Sequence, residues 1–322
     1  MKDRQMRESQ KKAADVIRQV NQVILGKAEV VEEVFLAFLA GGHVLLEDIP
    51  GVGKTTLAMA FSRSLGLECR RVQFTPDVLP SDLTGFSIYR KEEEKFVFQP
   101  GSVFCNLLLA DEINRTSPKT QSALLEVMEE HRVSTEGVTR EVPEPFLVIA
   151  TQNPSGTAGT QFLPEAQTDR FMIRLSMGYP DFEEELQIAM ETDGTRKTDR
   201  LHPVIGKEEF LALQEEVQQV YLKEDVGRYL TGLIRATREH PALERGASPR
   251  ATTALVKMAK AEAWMRGRDY VTPADVKKQF APVTVHRIRR TAEARMEGRE
   301  KQTILTEICQ AAVPPSLGRR SG

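Results

Sequence analysis

The spacing of apolar residues along the chain changes character near residue 43. Residues 10–40 carry Ile, Val and Leu at helical intervals, which predicts helix with a break at Gly26. Beyond that point, apolar runs of four to six residues alternate with helical segments such as 55–65 and 119–131. Short runs rich in Val, Ile and Leu are typical of strands buried on both faces of a parallel sheet. The predicted strands are residues 43–46, 69–74, 107–110, 146–151 and 171–175.

Two further stretches alternate between apolar and polar residues and predict β-hairpins. In the first, residues 86–88 and 96–98 flank a charged run. In the second, residues 132–142 alternate around Glu136-Gly137, a pair typical of a tight turn.

Helical patterns dominate after residue 178, and no further strand is predicted there. The predicted helices lie near residues 181–191, 207–222, 225–240, 249–266 and 273–280. Strand–helix alternation followed by helices alone predicts a doubly wound α/β domain with a parallel sheet and helices on both faces, over residues 1–178. A smaller all-helical domain is predicted over residues 179–322.

Composition fits a globular protein and limits the possible partners. The 322 residues suggest two domains, and their net charge of −2 provides no overall attraction to nucleic acid or to an anionic membrane. The charged segment 1–12 lacks the apolar stretch of a secretory signal, and the apolar run 34–46 is too short to span a bilayer. Cys69, Cys105 and Cys309 form no CxxC pair, which favours a reducing compartment. We therefore expect a cytoplasmic protein without a membrane span.

The segment from Asp48 to Thr55 joins a predicted strand to a predicted helix and has the pattern of a phosphate-binding loop. It fits GxxxxGK[ST], except that Asp48 stands at the position of the first glycine. Gly51 and Gly53 allow backbone N–H groups to surround a phosphate, and the following helix adds its dipole. Lys54 is expected to reach the β- and γ-phosphates, and the Thr55 hydroxyl to bind Mg²⁺. A glycine-rich turn without a ligand is the alternative, which fits this context less well.

Two carboxylates, Asp111 and Glu112, follow directly after the apolar run 107–110. Because carboxylates at the end of a buried strand are costly, they indicate a cation or a reaction at this place. In phosphate-loop proteins the first acid holds Mg²⁺, and Glu112 is then placed to polarise a water for attack on the γ-phosphate. Such a pair alone is more often a solvated turn, but its position after the phosphate loop favours the functional interpretation.

Three further residues are candidates for catalysis, and each has a simpler alternative. Asn153 follows a predicted strand and is a candidate to orient the attacking water or contact the γ-phosphate, although Asn-Pro also forms ordinary turns. Arg170 precedes the last predicted strand and is a candidate arginine finger, or else a surface partner of Asp169 or Glu165. Arg250 lies in the first turn of a predicted helix, where a cation opposes the helix dipole. It therefore indicates either an anionic ligand or a misplaced surface charge.

In this order the motifs resemble those of AAA+ ATPases, and more closely those of the MoxR family, over about residues 15–285. Apart from the phosphate loop, the separate motifs are weak signals, but together they are highly specific. The matching segments are residues 74–77, 79–85, 100–101, 106–115, 118–121, 128–130, 150–154, 163–167, 169–171 and 246–251.

The resemblance implies a role for each candidate residue. The implied roles are Walker A for Lys54 and Thr55, Walker B for Asp111 and Glu112, sensor 1 for Asn153, arginine finger for Arg170, and sensor 2 for Arg250. Residues 24–27 occupy the place where the family packs the adenine base. The implied nucleotide-binding residues are Gly26, Pro50, Gly51, Val52, Gly53, Lys54, Thr55, Thr56 and Asp111, with Thr55 and Asp111 also binding Mg²⁺.

For the whole protein, the resemblance implies Mg²⁺-dependent ATP hydrolysis by a ring, usually a hexamer, that acts as a chaperone-like remodeller of partner proteins. Such partners commonly contain a von Willebrand factor A domain. The hairpins near 86–98 and 132–142 resemble the helix-2 insert and the pre-sensor-1 hairpin of this branch, which would point toward the pore of the ring. Arg170 starts a strand away from its own phosphate loop and would therefore act on a neighbour's ATP. Head-to-tail contacts of this kind either close into a ring or continue as a filament, and the hexameric ring is what the resemblance implies.

Two other functions stay open at this point. The ATPase subunit of magnesium chelatase shares the hairpin inserts, and a nucleic-acid motor or regulator would use the basic run 286–290. The balanced charge and the single Trp264 argue against nucleic acid, and such a run is more often a solvated face. A GTPase is not expected because the sequence has no Asn-Lys-x-Asp motif. A small-molecule kinase would leave Glu112, Asn153 and Arg170 without roles.

Overall fold

The computed structural model describes residues 2–48, 51–153, 163–190 and 197–315. The helices are α1 (Lys2–Asn21), α2 (Ala28–Leu39), α3 (Lys54–Ser64), α4 (Pro80–Thr84), α5 (Pro118–Glu130), α6 (Glu165–Thr168), α7 (Phe182–Met190), α8 (Lys207–Gln218), α9 (Glu224–Glu239), α10 (Pro249–Met265), α11 (Pro273–Thr284), α12 (Ala292–Met296) and α13 (Lys301–Ala311). The strands are β1 (Val44–Glu47), β2 (Cys69–Gln73), β3 (Phe86–Arg90), β4 (Lys95–Gln99), β5 (Leu107–Asp111), β6 (Arg132–Thr135), β7 (Val138–Glu141), β8 (Leu147–Gln152), β9 (Ile173–Leu175), β10 (Leu243–Arg245) and β11 (Arg289–Arg290). Among these helices, none is both long and apolar enough to cross a membrane.

A five-stranded parallel sheet in the order β2-β5-β8-β1-β9 forms the centre of the first half of the chain. Neighbouring residues of β5 face opposite sides: Leu107 and Leu109 lie in a cluster with side chains of α2 and α3, whereas Leu108 lies in a cluster with side chains of α5. The predicted α/β fold, with helices on both faces of a parallel sheet, is therefore confirmed. Because all strands are parallel, the loops that follow β1, β5 and β8 meet at one edge of the sheet.

Both predicted hairpins are present, as the antiparallel pairs β3–β4 and β6–β7. Glu136 and Gly137 have φ values of 53° and 76°, which is the conformation that a type I′ turn requires at both central positions. The hairpins also contact each other. The Glu136 carboxylate accepts a hydrogen bond from the Ser87 amide (3.2 Å), and the Arg140 guanidinium lies 3.8 Å from the centre of the Phe98 ring.

The second half of the chain is mainly helical, as predicted, and packs against the N-terminal helices. Phe35 of α2 stacks on Phe61 of α3 and also contacts Phe210 of α8, so one aromatic side chain joins both halves. The sequence did not predict β10 and β11, which pair antiparallel, nor the helices α12 and α13. These strands are three and two residues long, which is too short for a periodic pattern. A domain boundary at residue 178 stays a prediction.

The expectation of a solvated face for the basic run 286–290 is wrong, because its first two side chains are buried. Arg287 donates to Asp169 Oδ1 (2.8 Å) and to the carbonyl groups of Asp169 and Phe171 (3.0 and 2.6 Å). The His286 ring nitrogen Nε2 lies 3.1 Å from the Phe171 carbonyl oxygen, and burial lowers the pKa of His286 well below its usual value. These contacts fix the turn that precedes β9, which is the physical reason why the two basic residues are inside.

A buried carboxylate on α2 contacts the helical half. Glu33 is 9% exposed, and its Oε1 accepts a hydrogen bond from Gln279 Nε2 of α11 (3.0 Å). Among the described residues, neither Glu33 Oε2 nor Gln279 Oε1 has a hydrogen-bond partner. Burial raises the pKa of Glu33 to about 7; Gln279 and Lys278 act in the opposite direction, while Glu262 and Glu32 raise it further. The carboxyl group is therefore partly protonated in the folded protein at neutral pH.

We expect Glu33→Gln to stabilise the protein at alkaline pH. Because the pKa is raised from 4.5 to about 7, the folded state holds a proton that the unfolded state releases, and the free energy of unfolding falls as the pH rises through this interval. An amide carries no charge whose burial costs free energy, and it can donate to Gln279 Oε1. The free energy of unfolding of the variant should therefore exceed that of the wild type by roughly 1–3 kcal/mol near pH 8. Denaturant unfolding at about pH 5.5 and about pH 8 measures this, with Glu29→Gln as an exposed control on the same helix. The same pH dependence in wild type and Glu33→Gln would contradict it.

Candidate active site

Residues 51–53, the described part of the loop that leads into α3, have a backbone suited to binding a phosphate. Gly51 and Gly53 have φ values of 90° and 92°, in the left-handed region that favours glycine. Gly53 is the N-cap of α3, and no described side chain caps the first N–H groups of that helix. Pro50 lies outside the described residues. Gly51, Val52, Gly53, Thr55 and Thr56 line a cleft of about 850 Å³, so the loop and the start of α3 face a space suited to an anionic ligand.

Lys54, the first residue of α3, is buried beside this cleft. Its Nζ donates a hydrogen bond to the Asp48 carbonyl oxygen (2.8 Å). Burial lowers the pKa of Lys54, while the carboxylates of Asp48, Asp111 and Glu112 act in the opposite direction. The fold thus brings the predicted lysine of the phosphate loop within electrostatic range of both predicted acids.

Asp48, which departs from the general loop pattern, binds the backbone that follows β9. Its carboxylate accepts hydrogen bonds from the Ser176 hydroxyl (2.6 Å) and from the amides of Met177 and Gly178 (2.7 and 3.0 Å). A glycine could make none of these contacts. Met177 lines the cleft, so Asp48 joins the phosphate loop to the segment that leads toward the helical half.

Asp111, the last residue of β5, is 8% exposed and is held on both carboxylate oxygens. Oδ1 accepts a hydrogen bond from the Thr151 hydroxyl of β8 (2.7 Å), and Oδ2 accepts from Arg71 of β2 (2.8 Å to Nη2). The Thr151 hydroxyl in turn accepts from the Glu112 amide (2.9 Å). Asp111 therefore does not belong to a solvated turn, because its side chain is buried between the two strands that flank β5.

Glu112 is held by three side chains from different elements. Its Oε1 accepts from Asn153 (2.9 Å), and its Oε2 accepts from Gln73 and Arg115 (both 2.7 Å). Burial raises the pKa of Glu112, but the hydrogen bonds from Arg115, Asn153 and Gln73 outweigh it, so the pKa is lowered overall. Glu112 is therefore ionised at neutral pH, and Asn153 lies beside it as expected.

Sequence reasoning missed Gln73, Arg71 and Arg115. Gln73 ends β2 directly beside Asp111 in the sheet register, and Arg71 lies two residues earlier on the same strand. Polar residues at the carboxyl end of β2 could have indicated contacts with Asp111 and Glu112, but only if the order of the strands in the sheet had been known. Arg115 lies three residues after Glu112, a spacing that was visible in the sequence.

The segment before α2 reaches the other end of the cleft. Ile24, Leu25 and Lys27 line it, whereas Gly26 has a φ of 67°, in the left-handed region that favours glycine, and the carboxylate of Glu184 of α7 occupies the place that a Cβ would take. Lys27 Nζ donates to the Tyr179 carbonyl oxygen (2.8 Å). The structure thus places the predicted adenine segment at the cleft, with Gly26 in contact with α7.

Arg170 and Arg250 do not lie at this cleft; both meet Glu129 of α5. Arg170 Nη1 is 2.9 Å from Glu129 Oε2, and Arg250 Nη2 is 2.6 Å from Glu129 Oε1. The simpler alternative, a surface ion pair of Arg170, is present, but its partner is Glu129 rather than Asp169 or Glu165. Asp169 pairs with Arg287, and Glu165 pairs with Arg245 and Arg289.

The sheet register explains why Arg170 is remote from its own phosphate loop. Val44 of β1 lies beside Ile173 of β9, and the two strands run parallel. Arg170 precedes Ile173, so it lies toward the edge where the strands begin. The phosphate loop follows Glu47, where β1 ends, so the two features lie at opposite edges of the sheet.

Two regions of the sequence match known protein families. Residues 43–173 match the ATPase family associated with various cellular activities (AAA), and residues 235–308 match the AAA lid domain. The first match contains four strands of the sheet, β1, β2, β5 and β8, and ends at the first residue of β9. The second lies in the helical half.

Similar proteins cover most of the chain. YeaC of Bacillus subtilis, an uncharacterized protein, is 47% identical over 93% of this chain and 93% of its own length. Chaperone MoxR1 of Mycobacterium tuberculosis is 39% identical over 94% of this chain and 82% of its own length. The crystal structure of an ATPase candidate from Cytophaga hutchinsonii has a TM-score of 0.89 at 36% identity and covers 97% of both chains.

We expect Asp48→Ala to lower the free energy of unfolding by roughly 1–3 kcal/mol, because the amides of Met177 and Gly178 lose their acceptor. Asp48→Asn keeps one acceptor oxygen and should lose less. Denaturant unfolding of the two variants and the wild type measures the difference. Equal stability of Asp48→Ala and wild type would show that this carboxylate does not hold the segment after β9.

Proposed function

The chain belongs to the MoxR family of AAA+ ATPases, and we propose that it hydrolyses ATP with Mg²⁺ in a ring that remodels partner proteins in a chaperone-like manner. The observation that carries the proposal is the meeting of Lys54, Asp111, Glu112 and Asn153 at one edge of the sheet, beside the cleft lined by the phosphate loop. If the glycine-rich turn bound no ligand, the presence of a buried lysine and two hydrogen-bonded carboxylates beside it would have no explanation.

The residues at the cleft fit a nucleotide with Mg²⁺. In this proposal the backbone N–H groups from Gly51 to Thr56 bind the phosphates, and the ammonium group of the buried Lys54 adds a positive charge. The apolar side chains of Ile24 and Leu25 line the far end of the cleft and face the base. The Thr55 hydroxyl and Asp111 carboxylate supply oxygen ligands, which Mg²⁺ prefers. When bound, Mg²⁺ neutralises charge on the β- and γ-phosphates.

Glu112 and Asn153 are the proposed residues for positioning the attacking water. Glu112 is ionised because its hydrogen bonds lower its pKa, so it can accept a proton from water. The Asn153 amide donates to Glu112 Oε1 and fixes the orientation of the carboxylate. The position of Asn153 beside Glu112 supports its proposed sensor 1 role.

The position of Arg170 supports a ring. It lies at the opposite edge of the sheet from its own phosphate loop, so an arginine finger at this place acts on the nucleotide of a neighbour. Contacts of this head-to-tail kind either close into a ring or continue as a filament, and we propose that they close into a hexamer, as the family resemblance implies. Arg250 meets the same carboxylate as Arg170, so we propose that it serves the same neighbouring nucleotide.

The partner is proposed to be another protein, with a von Willebrand factor A domain as the candidate surface, and the location is proposed to be the cytoplasm. The β3–β4 hairpin carries Phe96, which is 73% exposed and has its ring 5.3 Å from that of Tyr89. In a ring, exposed aromatic side chains directed at the pore are suited to gripping a polypeptide. A nucleic-acid substrate is less well supported, because His286 and Arg287 of the basic run are buried.

We expect Glu112→Gln to bind ATP and hydrolyse it about 10²–10⁴-fold more slowly, because the amide keeps the shape of the side chain but cannot accept the proton. Lys54→Ala is the contrasting variant, which should lose nucleotide affinity itself. Calorimetry of ATP binding and single-turnover hydrolysis separate the two effects. Near-normal turnover by Glu112→Gln would contradict its role, and unchanged ATP binding by Lys54→Ala would contradict the assignment of the phosphate loop.

We expect Arg170→Ala and Lys54→Ala to be inactive alone and active when mixed. In a mixed ring, an intact phosphate loop from Arg170→Ala meets an intact arginine from Lys54→Ala, and such an arginine is worth about 10³–10⁵ in rate. The recovered activity should rise with protein concentration, since subunits must meet. A mixture of Lys54→Ala with Glu112→Gln is the control, because every site in it lacks one residue. If mixed assemblies form by native mass measurement but stay inactive, Arg170 does not act on a neighbour.

A further inference from the structure

One carboxylate joins two cations that come from different halves of the chain. Glu129 lies near the end of α5, and its two oxygens contact different guanidinium groups: Oε2 lies 2.9 Å from Arg170 Nη1, and Oε1 accepts from Arg250 Nη2 (2.6 Å). Arg170 belongs to the turn before β9, whereas Arg250 belongs to the first turn of α10. Their meeting is thus a tertiary contact that sequence spacing does not produce.

The surrounding contacts hold the two arginines in place. Arg170 Nη1 also donates to the Leu125 carbonyl oxygen, one turn before Glu129 on the same helix (2.8 Å). Asp169, beside Arg170, accepts a hydrogen bond from the hydroxyl of Ser248 (2.7 Å), which is the N-cap of the helix that carries Arg250. The backbones that carry the two arginines are therefore joined to each other as well as to α5.

Charge explains why a carboxylate is needed at this point. Two guanidinium groups that approach one side chain repel each other, and a single negative charge between them offsets that repulsion. Both groups are still accessible: the side chains of Arg170 and Arg250 are 31% and 50% exposed. A guanidinium has five N–H donors, and the contacts of Arg170 with Glu129 and Leu125 use only its Nη1. The Arg250 guanidinium contacts Glu129 through its Nη2, so, among the described contacts, both arginines retain N–H donors for phosphate oxygens.

We propose that Glu129 is a positioning residue that presents Arg170 and Arg250 together, as one pair of cations, to the nucleotide of the neighbouring subunit. Glu129 itself contacts no nucleotide; it acts through the two arginines. The inference rests on the proposed action of Arg170 on a neighbour, and it adds a residue to which neither the phosphate-loop pattern nor the arginine-finger assignment gives a role.

The test is Glu129→Gln, which keeps the shape of the side chain and removes its charge. We expect the ATPase rate of the assembled protein to fall roughly 10–100-fold, the range for a misplaced catalytic group, while ATP affinity and assembly stay unchanged. Glu129→Asp, which retains the charge, should recover part of the rate. Glu130→Gln is the matched control, because this adjacent carboxylate pairs with Arg132 of β6, and its rate should equal that of the wild type.

Mixing experiments distinguish positioning of the arginine pair from a general defect. Glu129→Gln should regain activity when mixed with Lys54→Ala, whose arginines and Glu129 are intact, but not when mixed with Arg170→Ala. A wild-type rate for Glu129→Gln overturns the inference, as does a rate above wild type. Failure of rescue by Lys54→Ala also overturns it, provided that the same Lys54→Ala protein rescues Arg170→Ala. If Lys54→Ala rescues neither variant, the action of Arg170 on a neighbour is itself wrong.

Discussion

The register of three neighbouring parallel strands is the constraint on which the candidate site depends. β5 pairs with β8 and β8 with β1, so that Ala110, Ala150 and Leu45 form one row across the sheet. One residue later, Asp111 and Thr151 come into hydrogen-bond contact, and β1 continues toward the phosphate loop. A shift of one residue would turn each side chain to the other face. The apolar residues that determine this register therefore also determine the position of Asp111 beside the phosphate loop.

Hydrogen-bond partners hold the acidic groups of the site in position, and for Glu112 they also set its charge. Three donors outweigh the effect of burial on Glu112 and keep it ionised. Asp48 has two backbone amides and a hydroxyl as donors. Glu33 is the contrasting case, since one of its buried oxygens has no described partner and burial raises its pKa to about 7. The same fold thus keeps the Glu112 carboxylate charged and leaves the remote Glu33 carboxylate near its point of titration.

Local patterns in the sequence were sufficient to predict the five strands of the sheet and both hairpins, because each of these is encoded by neighbouring residues. The partners of the predicted side chains were not predictable in this way. Gln73 reaches Glu112 only because β2 lies next to β5, and Glu129 reaches Arg250 only because the helical half packs against α5. The strand at residues 289–290 was not predictable, because two residues are too few to show the alternation of apolar and polar side chains that marks a strand. The roles of the predicted site residues stay predictions.

Arg170 and the phosphate loop lie at opposite edges of the sheet, and the contacts of the chain hold them apart. The residues that we propose for phosphate, Mg²⁺ and water lie where the strands end, whereas Arg170 lies where they begin. Arg170 has no freedom to cross that distance, because the adjacent Asp169 is bound to Ser248 and to the buried Arg287. Moving Arg170 toward its own phosphate loop would break the contact between the helical half and the sheet. The simplest way for Arg170 to meet a nucleotide is therefore for a second copy of the chain to bring one to it.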